Sequence, residues 1–332
     1  MSASMIWNTR RLVLALAVLA ASQPAAAASG DAELERFSAE MVQRHGIEAQ
    51  FVRRVLGASE RRDDILERIS NPAEALPWHR YRPIFVKPER IREGVEYWRR
   101  HRGLLDEISE RFGVPAHVLV AIVGVETRYG THAGGFRVID ALRTLGFDYP
   151  PRADFFRREL EEFLLLTREE GIDPLQPVGS YAGAMGVPQF ISSSYRAYAV
   201  DYNDNGVRDL WGEPGDALGS VANYLSRHGW REGQPVAVPA RVSGEAWRQA
   251  LDSGLKPRRT VAQLRDLGVA FQVDVPADTP ARLLTLESGP GQTEFWVTFH
   301  NFYVITRYNH SPLYAMAVLQ LAEAVRERRA EN

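Results

Sequence analysis

One acid interrupts an apolar run. Glu126 follows Val118-Leu-Val-Ala-Ile-Val-Gly-Val125 and precedes Thr-Arg-Tyr-Gly130. Pro115 at a first turn, apolar residues through Val125 and Gly130 as a stop signal predict a helix. Helical spacing puts Leu119, Ile122, Val123 and Glu126 on one face. Two readings of the acid stand. If that face is covered, burial and the negative end of the helix dipole both favour the protonated form, and the carboxyl pKa is expected to rise. Such a carboxyl, still protonated near neutral pH, can give its proton to a leaving oxygen. Otherwise Glu126 turns to solvent or pairs with Arg128.

Four other segments hold residues of chemical interest, each with an innocent explanation. In Gly179-Ser-Tyr-Ala-Gly-Ala-Met-Gly-Val-Pro-Gln-Phe190 the small residues let backbone approach a ligand, with Ser180 and Gln189 as hydrogen-bonding groups. A tight loop packed on a helix has the same composition. Asn301-Phe-Tyr-Val-Ile-Thr-Arg-Tyr-Asn-His310 joins aromatic faces to amides, which suits sugar rings, and equally suits a Tyr/Phe core with a capping Asn. Asp201-Tyr-Asn-Asp-Asn-Gly-Val-Arg-Asp-Leu-Trp211 has the alternating oxygen ligands and central Gly206 of an EF-hand loop. Gly212 stands where the bidentate Glu belongs, the later acids being Glu213 and Asp216, and an Asx-rich turn explains the run without metal. The last is Trp78-His-Arg-Tyr-Arg-Pro83 with Tyr149 and Arg152: Arg152 suits an anionic substrate and Tyr81 a place near the acid, or both are surface or interface residues.

These residues need elements to position them. From Ser29 to about Gly113 the pattern is helical, with charged segments Ala32 to His45 and Pro88 to Phe112. Residues 114–230 continue helical, with loops at 148–152 and 178–186. Between 231 and 293 the texture changes to strand-like pieces at Pro235–Pro239, Phe271–Val275 and Leu283–Leu286, predicting a small β insertion. Glu294 to Phe299 leads out of it, and Tyr314 to Arg328 forms a final amphipathic helix within residues 294–332. The expected class is mainly α (α+β).

The chain of 332 residues is 45 % hydrophobic and 25 % charged, with a net charge of −2, which argues against a nucleic-acid footprint. Arg10 and Arg11, the apolar run Leu12 to Ala21 and Ala26-Ala27-Ala28 form the layout of a secretory signal peptide over residues 1–28. Cysteine is absent, which removes disulfides, thiolate metal sites and a lipid-modified cysteine anchor. A soluble protein of the bacterial periplasm, without a membrane anchor, is the expectation.

Val-Glu-Thr-Arg-Tyr-Gly130, the 179–190 run, the 201–211 loop, Val221-Ala-Asn-Tyr-Leu-Ser-Arg-His-Gly-Trp230 and the 301–310 run together, in this order, resemble the lytic murein transglycosylase B family. The resemblance covers most of the mature chain. It implies a lysozyme-like helical core over 114–230 and 294–332, an N-terminal helical domain over 29–113 and a small inserted β domain over 231–293. It implies cleavage of the MurNAc-β-1,4-GlcNAc bond of peptidoglycan with 1,6-anhydroMurNAc ends, with Glu126 as the single acid and base. Ser180 and Gln189 match polar positions beside that acid, and Tyr81, Tyr224, Tyr308 and Asn309 its tyrosine and asparagine neighbours. Arg152 matches a contact to a peptide or lactyl carboxylate, although Pro151 stands where a second basic residue is frequent. Asp201, Asn203, Asn205, the Val207 carbonyl and Asp216 match a structural calcium loop over 201–216, with Asn205 replacing an acid and one extra residue before Asp216. No organic cofactor is implied; the partners are glycan strands and other cell-wall enzymes. A hydrolytic muramidase and a non-catalytic peptidoglycan-binding protein are the competing readings, with a calcium sensor weaker because there is one incomplete loop.

Overall fold

The computed structural model describes residues 25–70 and 76–331, so the expected leader lies outside the described residues except for Ala25–Ala28, which open the first helix. The N-terminal part is built of α1 (Ala25–His45), α2 (Ala49–Gly57), α3 (Asp63–Ile69), α4 (Trp78–Phe85), α5 (Pro88–Arg100) and α6 (Arg102–Phe112). The charged stretch from Pro88 to Phe112, helical in pattern, forms two helices that meet at His101. Pro88 opens α5 at a position that needs no amide hydrogen, and Gly113, at φ 66°, ends α6.

Next come α7 (Ala116–Thr127), β1 (Phe136–Arg137), α8 (Val138–Asp148), a 3-10 turn at Pro150–Arg152, α9 (Ala153–Glu169), β2 (Val178–Gly179), α10 (Ser192–Tyr198) and α11 (Pro214–Arg227). Helix α7 differs from its expectation in one respect. Val118, Leu119, Val120, Ala121, Ile122 and Val123 are all buried, so every face is covered and not one stripe. A helix apolar all round is a central helix, and α7 packs against α5, α6, α11 and α14 (Pro312–Ala330). Truncating Leu119 or Ile122 to Ala would cost about 2–5 kcal/mol. No single helix among the described residues is long and apolar enough to cross a membrane.

The remaining elements are β3 (Ala237–Val242), β4 (Arg259–Thr260), α12 (Val261–Asp266), β5 (Val269–Ala270), β6 (Pro280–Gly289), β7 (Gln292–Thr298) and α13 (His300–Tyr308), before α14. The strands form one antiparallel sheet in the order β4-β6-β7-β3-β5. Two-residue periodicity gives β6 two buried faces: Ala281 and Leu283 join a small cluster with Val261, Leu264 and Val297, while Leu284 and Leu286 join the main core. The run Glu294–Thr298, expected to lead out of the β region, is part of β7 and pairs on both sides, so the 293/294 boundary falls inside a strand. Phe271–Val275 is not a strand; Phe271, Val273 and Val275 pack on the small cluster from irregular chain. Buried Asn301 joins the sheet's entry to the helices, accepting from Arg231 N at 2.9 Å and donating to Arg231 O at 2.8 Å and Gln234 O at 3.0 Å.

Candidate active site

Glu126 occupies the last turn of α7, which stops because Arg128 turns left-handed at φ 50°. The half-buried carboxylate accepts a hydrogen bond from the Tyr314 phenol at 2.6 Å. Arg128, the partner the sequence offered, points elsewhere: its Nε donates to Glu93 Oε2 at 2.8 Å. That hydrogen bond holds Glu93 below the usual carboxylate range.

Three tyrosines build an aromatic wall beside the acid. Tyr314 lies in the first turn of α14, where Ser311 accepts from its amide and Pro312 opens the helix. Its ring is stacked with that of Tyr308 at 6.4 Å, and Tyr308 meets Tyr224 edge-on at 4.9 Å. Burial first, and the charge of Glu126 second, push the Tyr308 and Tyr314 phenols well above their ordinary value. Both therefore remain donors. Tyr308 donates to Pro188 O at 2.6 Å and Tyr224 to Arg307 O at 2.6 Å, while burial pushes Tyr224 up to about 12. Tyr81 lies buried in α4, stacked on Trp78 at 6.4 Å.

The small-residue loop closes another side. Gly179 pairs with Phe136 and bridges to Met185, which in turn bridges to Phe190. At Gly186, with φ 69°, an added Cβ would stand 2.6 Å from Leu210, so only glycine fits there. Ser180 Oγ accepts from Ala182 N at 3.3 Å and Ala184 N at 3.1 Å, which leaves its proton to donate. Gln189 sits at φ 52°, and its amide nitrogen donates to Ala133 O and Gly186 O. Thr127 Oγ1, beside Glu126, donates to Val187 O at 3.0 Å and so ties this loop to α7.

A cleft of about 420 Å³ brings together Arg152, Gln189, Tyr224, Tyr308 and Asn309. Glu126, Ser180 and Tyr81 are not in its lining; Glu126 connects to it through Tyr308 and Tyr314. Exposed Arg152 lies over Phe155 at 4.2 Å and Phe156 at 5.3 Å. Arg307 and His310 also line the cleft, 3.1 Å apart, and neither was singled out in the sequence; nor was Tyr314. The signal for Tyr314 was Ser311-Pro312, a helix start directly after the aromatic and amide run. A larger cleft of about 830 Å³ between α4, β7 and α14 holds none of the expected site residues.

In the 201–216 loop the expected oxygens turn inward. Asp201 accepts from Asn205 N and Gly206 N, Asn203 from Asn205 N at 3.1 Å, and Asn205 from Val207 N at 2.9 Å. Fully buried Asp216 accepts from Tyr202 N and Asp209 N, both at 2.8 Å. Burial raises its pKa, opposed by those amides, and the charges of Asp201 and Asp209 raise it further. No cluster of three metal-binding His, Cys, Asp or Glu is found among the described residues. The set is nonetheless all hard oxygen, and converging carboxylates are what a divalent cation relieves, so the residues fit calcium in type though they are poor in charge.

Residues 29–323 match the Transglycosylase SLT domain family. The membrane-bound lytic murein transglycosylase B of Escherichia coli (strain K12) is 42 % identical over 301 residues, 88 % of this chain and 82 % of that protein. Crystalline soluble lytic transglycosylase SltB1 of Pseudomonas aeruginosa superposes with a TM-score of 0.85 at 45 % identity, covering 90 % of this chain and 99 % of that one. The E. coli lytic transglycosylase Slt35, in a structure with calcium, superposes at 0.81 with 42 % identity over 90 % of this chain and 93 % of its own. The mainly α fold with its lysozyme-like core is theirs as well. The chain belongs to the lytic murein transglycosylases of the Transglycosylase SLT domain family.

Proposed function

We propose that this enzyme cleaves the MurNAc-β-1,4-GlcNAc bond of peptidoglycan with Glu126 as its one acid and base. Glu126 gives its proton to the glycosidic oxygen, the bond to C1 breaks, and the GlcNAc side leaves with that proton as its 4-hydroxyl. The MurNAc 6-hydroxyl oxygen then bonds to C1 and its proton returns to the Glu126 carboxylate. Atoms balance without water, and a 1,6-anhydro end remains. The observation that carries this reading is the seat of Glu126: the half-buried carboxylate at the end of apolar α7 accepts from the Tyr314 phenol at 2.6 Å, and its charge acts on Tyr308, which lines the cleft. Kinship with lytic murein transglycosylases supports the water-free course.

In this scheme Tyr314 orients the carboxylate, and Ser180, Gln189, Tyr81, Tyr224, Tyr308 and Asn309 shape the sugar site and stabilise positive charge at C1. Arg152 receives a carboxylate of the substrate's lactyl or peptide part. Mass spectrometry of digested sacculi tests the reading: anhydro ends are expected, with turnover falling about 10²–10⁴-fold in Glu126→Gln. Reducing ends would mean hydrolysis, and binding without release would mean a scaffold.

Location and metal follow from further features. The layout of residues 1–28 supports export to the periplasm. The 201–216 loop supports a weakly held structural calcium on Asp201, Asn203, Asn205, the Val207 carbonyl and Asp216. Helices over 29–113, the core over 114–230 and 299–332, and the β region over 231–298, which takes in the whole of β7 and so extends past the expected end at 293, are the units we assign. Other cell-wall enzymes are the proposed protein partners.

A further inference from the structure

The end of α7 is held by an arrangement that the reaction scheme does not use. Arg128 and Tyr129 both lie in the left-handed region, at φ 50° and φ 60°. For residues with a Cβ this conformation persists only where surroundings impose it. Tyr129 folds back beneath the helix it has just left. Its amide donates to Val123 O at 3.0 Å and its phenol to Arg90 O at 2.8 Å. The ring lies where two glycines omit side chains. A Cβ at Gly124 would stand 2.7 Å from the Tyr129 ring, and one at Gly94 2.5 Å from the Tyr129 hydroxyl and 2.7 Å from Val325. The Arg90 guanidinium donates to Gly124 O, a carbonyl in the helix's last turn with no amide left to serve it. Arg128 reaches Glu93, one residue before Gly94 on α5.

Tyr129 therefore bolts the last turn of α7 onto α5 without entering the cleft. It lines a different cavity of about 330 Å³, with Glu93, Tyr97 and Arg128. Burial, with the Glu93 charge adding and the Arg90 charge opposing, pushes its phenol up, so it stays a donor. Glu126 lies between Gly124, on which the ring rests, and Tyr129 itself. A rotation of this turn would carry the carboxyl away from Tyr314.

We propose that Tyr129, seated on Gly94 and Gly124, is a positioning residue that fixes the Glu126 carboxyl for proton transfer. This rests on the reading of Glu126 as the acid, so Glu126→Gln is measured alongside. The assay is steady-state turnover of a soluble, uncrosslinked glycan of murein disaccharide repeats, with melting temperature recorded for each variant. Tyr129→Phe removes the hydroxyl and keeps the ring; kcat is expected to fall about three- to tenfold with KM unchanged, because lost geometry is lost in the transition state. Gly94→Ala drives a methyl into the hydroxyl, and kcat falls about ten- to a hundredfold. In the double variant the oxygen is gone while Val325 still crowds the methyl, and kcat recovers in part above that of Gly94→Ala alone.

Unchanged kcat in Tyr129→Phe overturns the proposal, as does a rise in KM in place of a fall in kcat, or a double variant no better than Gly94→Ala when that protein is folded. If Gly94→Ala does not fold, Tyr129→Phe decides by itself. Turnover persisting in Glu126→Gln overturns the reading of the acid, a result distinct from any in the Tyr129 series.

Discussion

Tyr314 and Glu126 are 188 positions apart, yet the phenol meets the carboxylate at 2.6 Å. A hydrogen bond to a charged group contributes about 1.5–3 kcal/mol, so Tyr314→Phe is expected to lower kcat about ten- to a hundredfold. KM should change little, because the bond acts on the acid and not on the sugar. Steady-state kinetics on soluble glycan check this, and an unaltered kcat would remove Tyr314 from the machinery. Glu126 itself was legible because a carboxylate on an apolar helix conflicts with its surroundings, and such conflicts mark function. Tyr314 conflicts with nothing: an aromatic in the first turn of a core helix is ordinary, and only the packing of α14 along α7 gives it a role. Ser180 and Gln189 stood out by composition, but that their hydrogen bonds are spent partly on their own loop is visible only in three dimensions.

At the scale of elements, helices with strong punctuation were legible, as at Pro88, Gly113 and Pro312. The number of covered faces on α7 was not, because periodicity cannot distinguish a stripe from a fully wrapped helix when nearly every residue is apolar. Phe271–Val275 alternates like a strand but finds no neighbour to pair with, and strand formation depends on the partner. The join between α5 and α7 carries a pH dependence. His117, in the first turn of α7, stacks on Trp98 of α5 at 6.4 Å, and burial first and Arg326 second push it down to about 4 from 6.5. Between those values the unfolded chain binds a proton that the folded protein refuses. The contribution is complete above pH 6.5, is lost as pH falls toward 4, and does not change below that. The loss is at most about 3 kcal/mol. Denaturant unfolding from pH 7 to 4 should give a flatter stability curve for His117→Phe than for the native chain. Parallel curves would show that the acid sensitivity lies elsewhere.

Across the whole molecule, the switch from helical to strand-like texture near residue 231 was legible, since alternation and Gly/Pro punctuation are local signals. The stitching was not: Asn301 stood in a run that read either as a sugar site or as a core with a capping Asn, and its hydrogen bonds go to Arg231 and Gln234 where the sheet leaves the helices. The 201–216 loop plays a similar part on the other side of the core. Asp216 at the start of α11 holds the amides of Tyr202 and Asp209, and the Tyr202 ring lies under Arg111 of α6 at 5.2 Å. A cation bound there would stabilise the folded chain as a unit through linkage and leave the chemistry at Glu126 alone. At ten times Kd the gain is about 1.4 kcal/mol, a rise in Tm of roughly 2–5 °C. Calorimetry with and without millimolar calcium measures it, with kcat on soluble glycan expected to be the same in both. Asp201→Asn is the informative variant, because it removes a charge from the loop while keeping one oxygen to accept from the amide of Asn205 or of Gly206. A shift that survives in that variant places the ion elsewhere, and a kcat that follows calcium would make the ion more than structural.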